Sequence, residues 1–377
     1  MTELFFNHET IKLHVADTFL LNGLIYFILL LVSLATLRRK ASVFLDVSQT
    51  EQLKGLAIFF VVVEHFWYHV CDEKGTVLLL GDYAVTLFLL LSGYGLMTSN
   101  MVHRVNAREF FMKRVRKIFY PYWLVTVAIV IADSVFLQKQ YPVQDILLTF
   151  VGINISQELQ YFDHSRWFIT LLLVNYLAFF LCAKFWKPPY ATVALVFIAL
   201  GLIALRRYEL FPLGARHQLL AFSAGCLLAV MRSMQWRFEG GVLNQAAILL
   251  LGIFAILSIY SDSFLRPDGY IDKPLIYLQS YLLPYLFCLL CMVSISLLAS
   301  IGYISKFLIF CGYLSYEIYL IHAPFLIKYN FIIGHFENGF MLLGIYLWFG
   351  VALVLAYALK VLTPIWSSRL LLTSRLK

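Results

Sequence analysis

Long apolar stretches separated by short polar ones set the plan of this chain. Blocks able to cross about 30 Å of hydrocarbon as helix, roughly 17–25 residues each, fall near 20–37, 55–71, 82–99, 118–136, 166–184, 189–205, 217–231, 242–260, 275–299, 310–328 and 340–362. No segment alternates with the period-2 pattern of a barrel strand. Backbone in lipid must also close its hydrogen bonds within the segment, so helix is the expected element throughout. The pattern predicts an all-α, polytopic membrane protein of about eleven transmembrane helices. The longest connection, near 137–165, is too short to fold alone.

Composition agrees. Of 377 residues, 62% are hydrophobic and 13% charged, with a mean hydropathy of +0.82, more apolar surface than a soluble core takes up. The net charge of +8 does not point to nucleic acid, because the basic residues stand in short runs between apolar blocks. There they read as topology signals. With Arg38, Arg39, Lys40 and Lys54 cytoplasmic and the helices alternating, most of the 29 Lys and Arg fall inside. Asp72, Glu73, Asp82, Glu158, Asp163, Asp262, Asp268 and Asp272 fall outside. The N-terminus is therefore expected out and the C-terminus in. Cys288 and Cys291 form a C-x-x-C inside an apolar run, where buried small residues are the expected role.

Some polar residues interrupt the apolar blocks, and these carry the candidate chemistry. An ionisable side chain at mid-membrane costs about 2.5–3.5 kcal/mol on insertion scales and usually faces a cavity or partner. LKGLAIFFVVVEHFWYHV, from Leu53, holds Lys54, Glu64 and His65. Lys54 and His65 lie about 20° from a common line and roughly 16 Å apart along a helix. One face thus offers a cation near the surface and an imidazole deeper in, able to take and return a proton. Glu64 lies about 100° round the helix. His65 and His69 have i, i+4 spacing but fit neither zinc-protease pattern, so no metal is expected.

The run RVNAREFFMKRVRKIFYPYW carries Arg104, Arg108, Lys113, Arg114, Arg116 and Lys117, more cations than orientation needs. Arg114 and Lys117 could bind a phosphorylated ligand, with anionic lipid the alternative. In LSYEIYLIHAPF, Ser315, Tyr319 and His322 fall within about 60° of one another, with Glu317 a further buried acid. LSGYG, at Leu91–Gly95, suits close helix packing and offers the Ser92 hydroxyl. HSRWFI puts His164, Arg166 and Trp167 at the expected outer interface.

In this order the features resemble membrane-bound acyltransferase family 3. The resemblance rests on Lys54-x10-His65, FLLLSGY from Phe88, RVRKIFYP from Arg114, WFI from Trp167, and Ser315-x3-Tyr319-x2-His322, spread over residues 49–365. Two departures stand out: Lys54 replaces the commoner Arg, and one residue more than usual precedes Pro121. The resemblance implies an acyltransferase-3 domain over 49–365, usually of ten helices. Residues 1–48 would add one N-terminal helix, and 366–377 a short basic cytoplasmic tail.

It further implies an O-acyltransferase, an O-acetyltransferase above all, of the inner (cytoplasmic) membrane. The chain would move an acyl group from cytoplasmic acetyl-CoA or another acyl-CoA to a sugar hydroxyl. The acceptor would be an exported or lipid-linked glycan, a polysaccharide modification. The implied roles are His65, Glu64 and His322 in catalysis, and Lys54, Arg114 and Lys117 at the CoA phosphates. Ser92, Arg166, Trp167, Ser315 and Tyr319 would shape the acceptor side. No tightly bound cofactor or nucleic acid is expected. The alternative is a polysaccharide exporter or proton-coupled transporter using Glu64, His65, Glu317 and His322 as a relay, although the matching broken helices of many transporters are missing from the sequence.

Overall fold

Helices dominate because apolar sequence in lipid has no other way to pair its backbone. The computed structural model describes residues 13–15, 17–71, 80–155, 162–207, 217–234, 250, 252, 273–333 and 340–374. The apolar block at 242–260 lies almost wholly outside them, as do Asp72, Glu73, Glu158, Asp262, Asp268 and Asp272. In chain order the elements are α1 (Thr18–Ala35), β1 (Leu37–Arg39), α2 (Val47–His69), α3 (Gly81–Val102) and α4 (Ala107–Arg114). A π-helical turn (Val115–Phe119) leads into α5 (Tyr120–Phe136), followed by α6 (Val143–Phe150), α7 (Trp167–Phe185) and α8 (Pro188–Arg207). The rest are α9 (Ala221–Ser233), α10 (Lys273–Ser300), β2 (Tyr303–Ser305), α11 (Lys306–Tyr313), α12 (Ser315–Ile327) and α13 (Met341–Ser374). Among the described residues, 7 helices are long and apolar enough to cross a membrane, and the chain is a multi-pass membrane protein.

Four features depart from the sequence reading. The block expected at 310–328 is two helices, α11 and α12, broken at Leu314. The connection near 137–165 holds a helix of its own, α6. The chain also contains a strand pair, where helix alone was expected: β1 and β2 are antiparallel, with Leu37 opposite Ser305. These residues follow α1 and precede α11, so their backbone groups lack helical partners and satisfy one another. Gly302, at φ 82°, makes the turn before β2.

The fourth departure is at the basic run. The helix expected from 118 begins at Ala107, where Asn106 accepts from Glu109 N at 3.2 Å. It continues through the π-turn, in which Tyr120 N–H reaches the Val115 carbonyl. Pro121 has no N–H, and in a regular helix its ring would crowd the Lys117 carbonyl. The wider turn relieves that crowding and takes up one residue. It also leaves the Ile118 carbonyl to accept from Tyr316 Oη at 3.0 Å.

Two helix crossings hold the interior. Gly55 of α2 lies against the Leu308 carbonyl of α11, and Gly312 of α11 against the Glu51 carbonyl. The second crossing repeats the device: Gly93 of α3 meets the Phe222 carbonyl of α9, and Gly225 meets the Leu90 carbonyl. Small residues let backbones approach where lipid supplies no hydrophobic drive between helices. Cys226 Sγ donates to the Gly93 carbonyl at 3.4 Å. Gly95, in the same LSGYG stretch, has open space instead.

Gly225→Val and Gly312→Val are each expected to destabilise the bundle by about 1–3 kcal/mol, and Gly95→Val to leave it unchanged. Thermal unfolding of the purified protein in detergent reads the difference, and three equal midpoints would contradict the crossings.

Candidate active site

The cavity-facing residues of α2 recur every three or four positions: Glu51, Lys54, Ile58, Val61, His65 and His69 form one stripe along a cavity of about 1110 Å³. From Glu51 to His69 that stripe runs roughly 27 Å along the helix, close to the hydrocarbon thickness. Lys54, Arg116, Lys117 and Lys360 line one end; Tyr68, His69, Asp82 and His164 line the other. α3, the π-turn, the start of α7, α11, α12 and α13 supply the remaining wall.

His65 meets His322 inside this wall. His65 Nδ1 is 2.7 Å from His322 Nε2, with the ring planes 11° apart. The other nitrogen of His322, Nδ1, is 2.7 Å from the Tyr319 carbonyl. A carbonyl only accepts, so His322 carries its proton on Nδ1 and its Nε2 accepts from His65 Nδ1–H. The bare lone pair of His65 is then on Nε2, and the ring lines the cavity. Fully buried His322 fixes both the tautomer and the orientation of its neighbour. Tyr319 Oη is itself held, donating to the Ser165 carbonyl at 2.9 Å.

Glu64 borders the same cavity, but its carboxylate is taken up by α3. Its carboxylate accepts from Gly81 N at 2.7 Å and Asp82 N at 3.3 Å, at the first turn of α3. There it satisfies orphan N–H groups and meets the positive end of the helix dipole. Ser92, Trp167, Ser315 and Tyr319 line the cavity. Arg166 does not line it. Its guanidinium is 1% exposed, pairs with Asp163 at 3.0 Å, donates to Thr126 Oγ1 at 2.6 Å and lies over the rings of Tyr122 and Phe162.

The cations divide into held and open. Lys54 pairs with Glu51 at 2.9 Å, and Lys360 with Glu317 at 2.9 Å. Arg114 donates to the Phe110 carbonyl at 3.1 Å, with its guanidinium 3.7 Å from the Phe110 ring centroid. It belongs to a second pocket of about 650 Å³, beside His103, Arg104 and Lys113. Lys117 borders both spaces. Arg116 lines the main cavity, a position that regular helical spacing does not signal because the π-turn shifts the phase there. His164 and His69 were not assigned roles from the sequence. Their rings stand 5.3 and 5.7 Å from that of His65, a grouping that only the fold assembles. Among the described residues, no three His, Cys, Asp or Glu side chains are arranged to hold a metal.

A family model described as an acyltransferase domain matches residues 47–361, from the first residue of α2 into α13. The chain therefore belongs to membrane-bound acyltransferase family 3 and is a membrane acyltransferase. No curated protein and no solved structure matches it.

If Glu64 serves α3 as an acceptor, Glu64→Gln keeps an oxygen for Gly81 N–H, whereas Glu64→Leu leaves donors unpaired. The leucine variant is expected to lose about 1–3 kcal/mol and the glutamine variant to melt near wild type. Equal losses in both would mean that the charge, not the acceptor, matters.

Proposed function

We propose that this acyltransferase carries an acyl group, acetyl above all, from cytoplasmic acyl-CoA to a sugar hydroxyl of an exported or lipid-linked glycan. It would work in the cytoplasmic (inner) membrane with its N-terminus out, its C-terminus in, and the Lys54 end of the cavity facing the cytoplasm. The reading rests on one observation: a cavity nearly as long as the membrane is thick, with a proton-accepting nitrogen on its wall. His65 Nε2 is that nitrogen.

The residues accommodate the reaction as follows. The acceptor hydroxyl gives its proton to His65 Nε2 as its oxygen attacks the thioester carbonyl carbon. The carbonyl reforms, the C–S bond breaks, and the proton on His65 passes to the departing CoA thiolate. The products are an acyl ester and CoA. His322 keeps the base in the reactive tautomer and stabilises the imidazolium that forms. Arg116 and Lys117 are the best supported phosphate ligands, because neither has a carboxylate partner among the described residues, while Lys54 and Lys360 do. Arg114 would add to a nucleotide-binding surface in the second pocket. Trp167, Ser92, Ser315 and Tyr319 offer ring faces and polar atoms suited to a sugar, and Arg166 lies behind the wall. The exporter reading is weakened, since Glu64 is engaged by α3 and Glu317 by Lys360.

Labelled acetyl-CoA supplied to membranes tests this. His65→Ala is expected to lower transfer into a glycan fraction by about 10²–10⁴-fold, and His322→Ala by about 10–100-fold. Equal label from wild type and His65→Ala would sink the catalytic assignment. Changing Arg116 and Lys117 together to Ala is expected to raise the KM for acetyl-CoA, with kcat little altered.

A further inference from the structure

We infer that His164 is a second catalytic imidazole, the hydrogen-bond donor that receives the acyl oxygen during transfer. The inference rests on the acyl-transfer reading above and assigns one more of that site's residues. His164 opens the short 3₁₀ turn before α7 (His164–Arg166) and lines the cavity. Its ring centroid is 5.3 Å from that of His65, with the planes at 62°, and 4.5 Å from that of His69 at 76°.

The two nitrogens of this ring differ. Nδ1 is buried and has no hydrogen-bond partner. Nε2 is not among the buried, unpartnered atoms and has no protein partner among the described residues, so it opens on the cavity. A buried N–H with no acceptor is rarer and costlier than a buried lone pair left bare. The proton of neutral His164 therefore belongs on Nε2. His65 presents a lone pair to the cavity, and His164, one ring away, presents an N–H.

Acyl transfer needs that pairing. When the acceptor oxygen attacks, the carbonyl π pair moves onto the acyl oxygen, which becomes an anion. His164 Nε2–H would donate to it. On collapse the pair returns to form the ester carbonyl, and the thiolate leaves with the proton held by His65. A neutral imidazole is competent as such a donor. Arg166 is not available for the task, being held by Asp163 and Thr126 outside the cavity.

His164 is also set in the same frame as the base. Tyr319 Oη donates to the Ser165 carbonyl at 2.9 Å, and Lys328 Nζ to the Phe162 carbonyl at 2.6 Å. Both grip the chain beside His164 from α12 and its C-terminal cap, and α12 carries His322. A donor fixed before reaction needs no reorganisation when charge develops.

The test uses the full chain in nanodiscs with acetyl-CoA labelled with ¹³C at the thioester carbonyl. The His65→Ala background keeps the thioester intact, and difference infrared spectra read the bound carbonyl. Its band is expected at lower wavenumber than in buffer, to return to the buffer position when His164→Leu is added, and to stay shifted with His164→Gln, whose amide N–H reaches a similar point. With His65 intact, His164→Leu is expected to lower kcat by about 10²–10³-fold with the KM for acetyl-CoA nearly unchanged, and His164→Gln to recover part of it. A band still shifted in the leucine variant, or a raised KM with kcat intact, overturns the inference while leaving acyl transfer standing. A His65→Ala protein that retains no thioester overturns the parent reading, and this inference with it.

Discussion

Everything in the interior follows from two places where helix backbones touch. Lipid surrounds apolar side chains as well as other side chains do, so helices in a bilayer gain little merely by burying leucines together. Contact at Gly55 and Gly312 fastens α2 to α11, and contact at Gly93 and Gly225 fastens α3 to α9. Because α12 begins one residue beyond α11, the first crossing also decides where α12 can run. His65 meets His322 on that account. The imidazole pair meets only because glycines several turns away let two backbones close.

Charge inside the bundle obeys a second constraint. A charged group at depth is tolerated when it is paired and hydrogen-bonded. Asp133 and Lys328 meet at 2.6 Å with Tyr141 and Tyr329 on the carboxylate, and Asp163 holds Arg166. Both pairs lie at the end of the bundle away from Lys54 and tie the connection after α5 to α5 and α12. Among the described residues, Arg116 and Lys117 have no such carboxylate partner, and they stand where the π-turn lines the cavity.

Much of this was legible in the sequence. Hydropathy alone located the apolar blocks, and the interruptions in α2 singled out the helix that lines the cavity. Tyr319 and His322 could be assigned to one face from spacing. The rest needed information that periodicity does not hold. The break at Leu314 and the β1–β2 pair depend on contacts between distant segments. Glu64 read as an anomaly near His65, yet its partner is the first turn of α3, seventeen residues on. Arg166 looked like a surface group because arginine beside tryptophan usually marks an interface, and only the fold reveals Asp163 and Thr126 around it. His164 was in plain view in HSRWFI, but nothing local connects it with His65.

The π-turn has a consequence for how a single basic run is used. An α-helix advances 100° per residue, so one residue taken up out of pattern offsets all that precedes it against all that follows. α4 and α5 form one continuous rod whose two halves are out of phase. Arg114, before the offset, borders the smaller pocket; Arg116, inside it, borders the larger; Lys117 borders both. Cations that a regular helix would fan round its whole circumference are gathered on two adjoining spaces. Protein length was here converted into rotation, and a segment that began as a topology signal became the partition between two chambers.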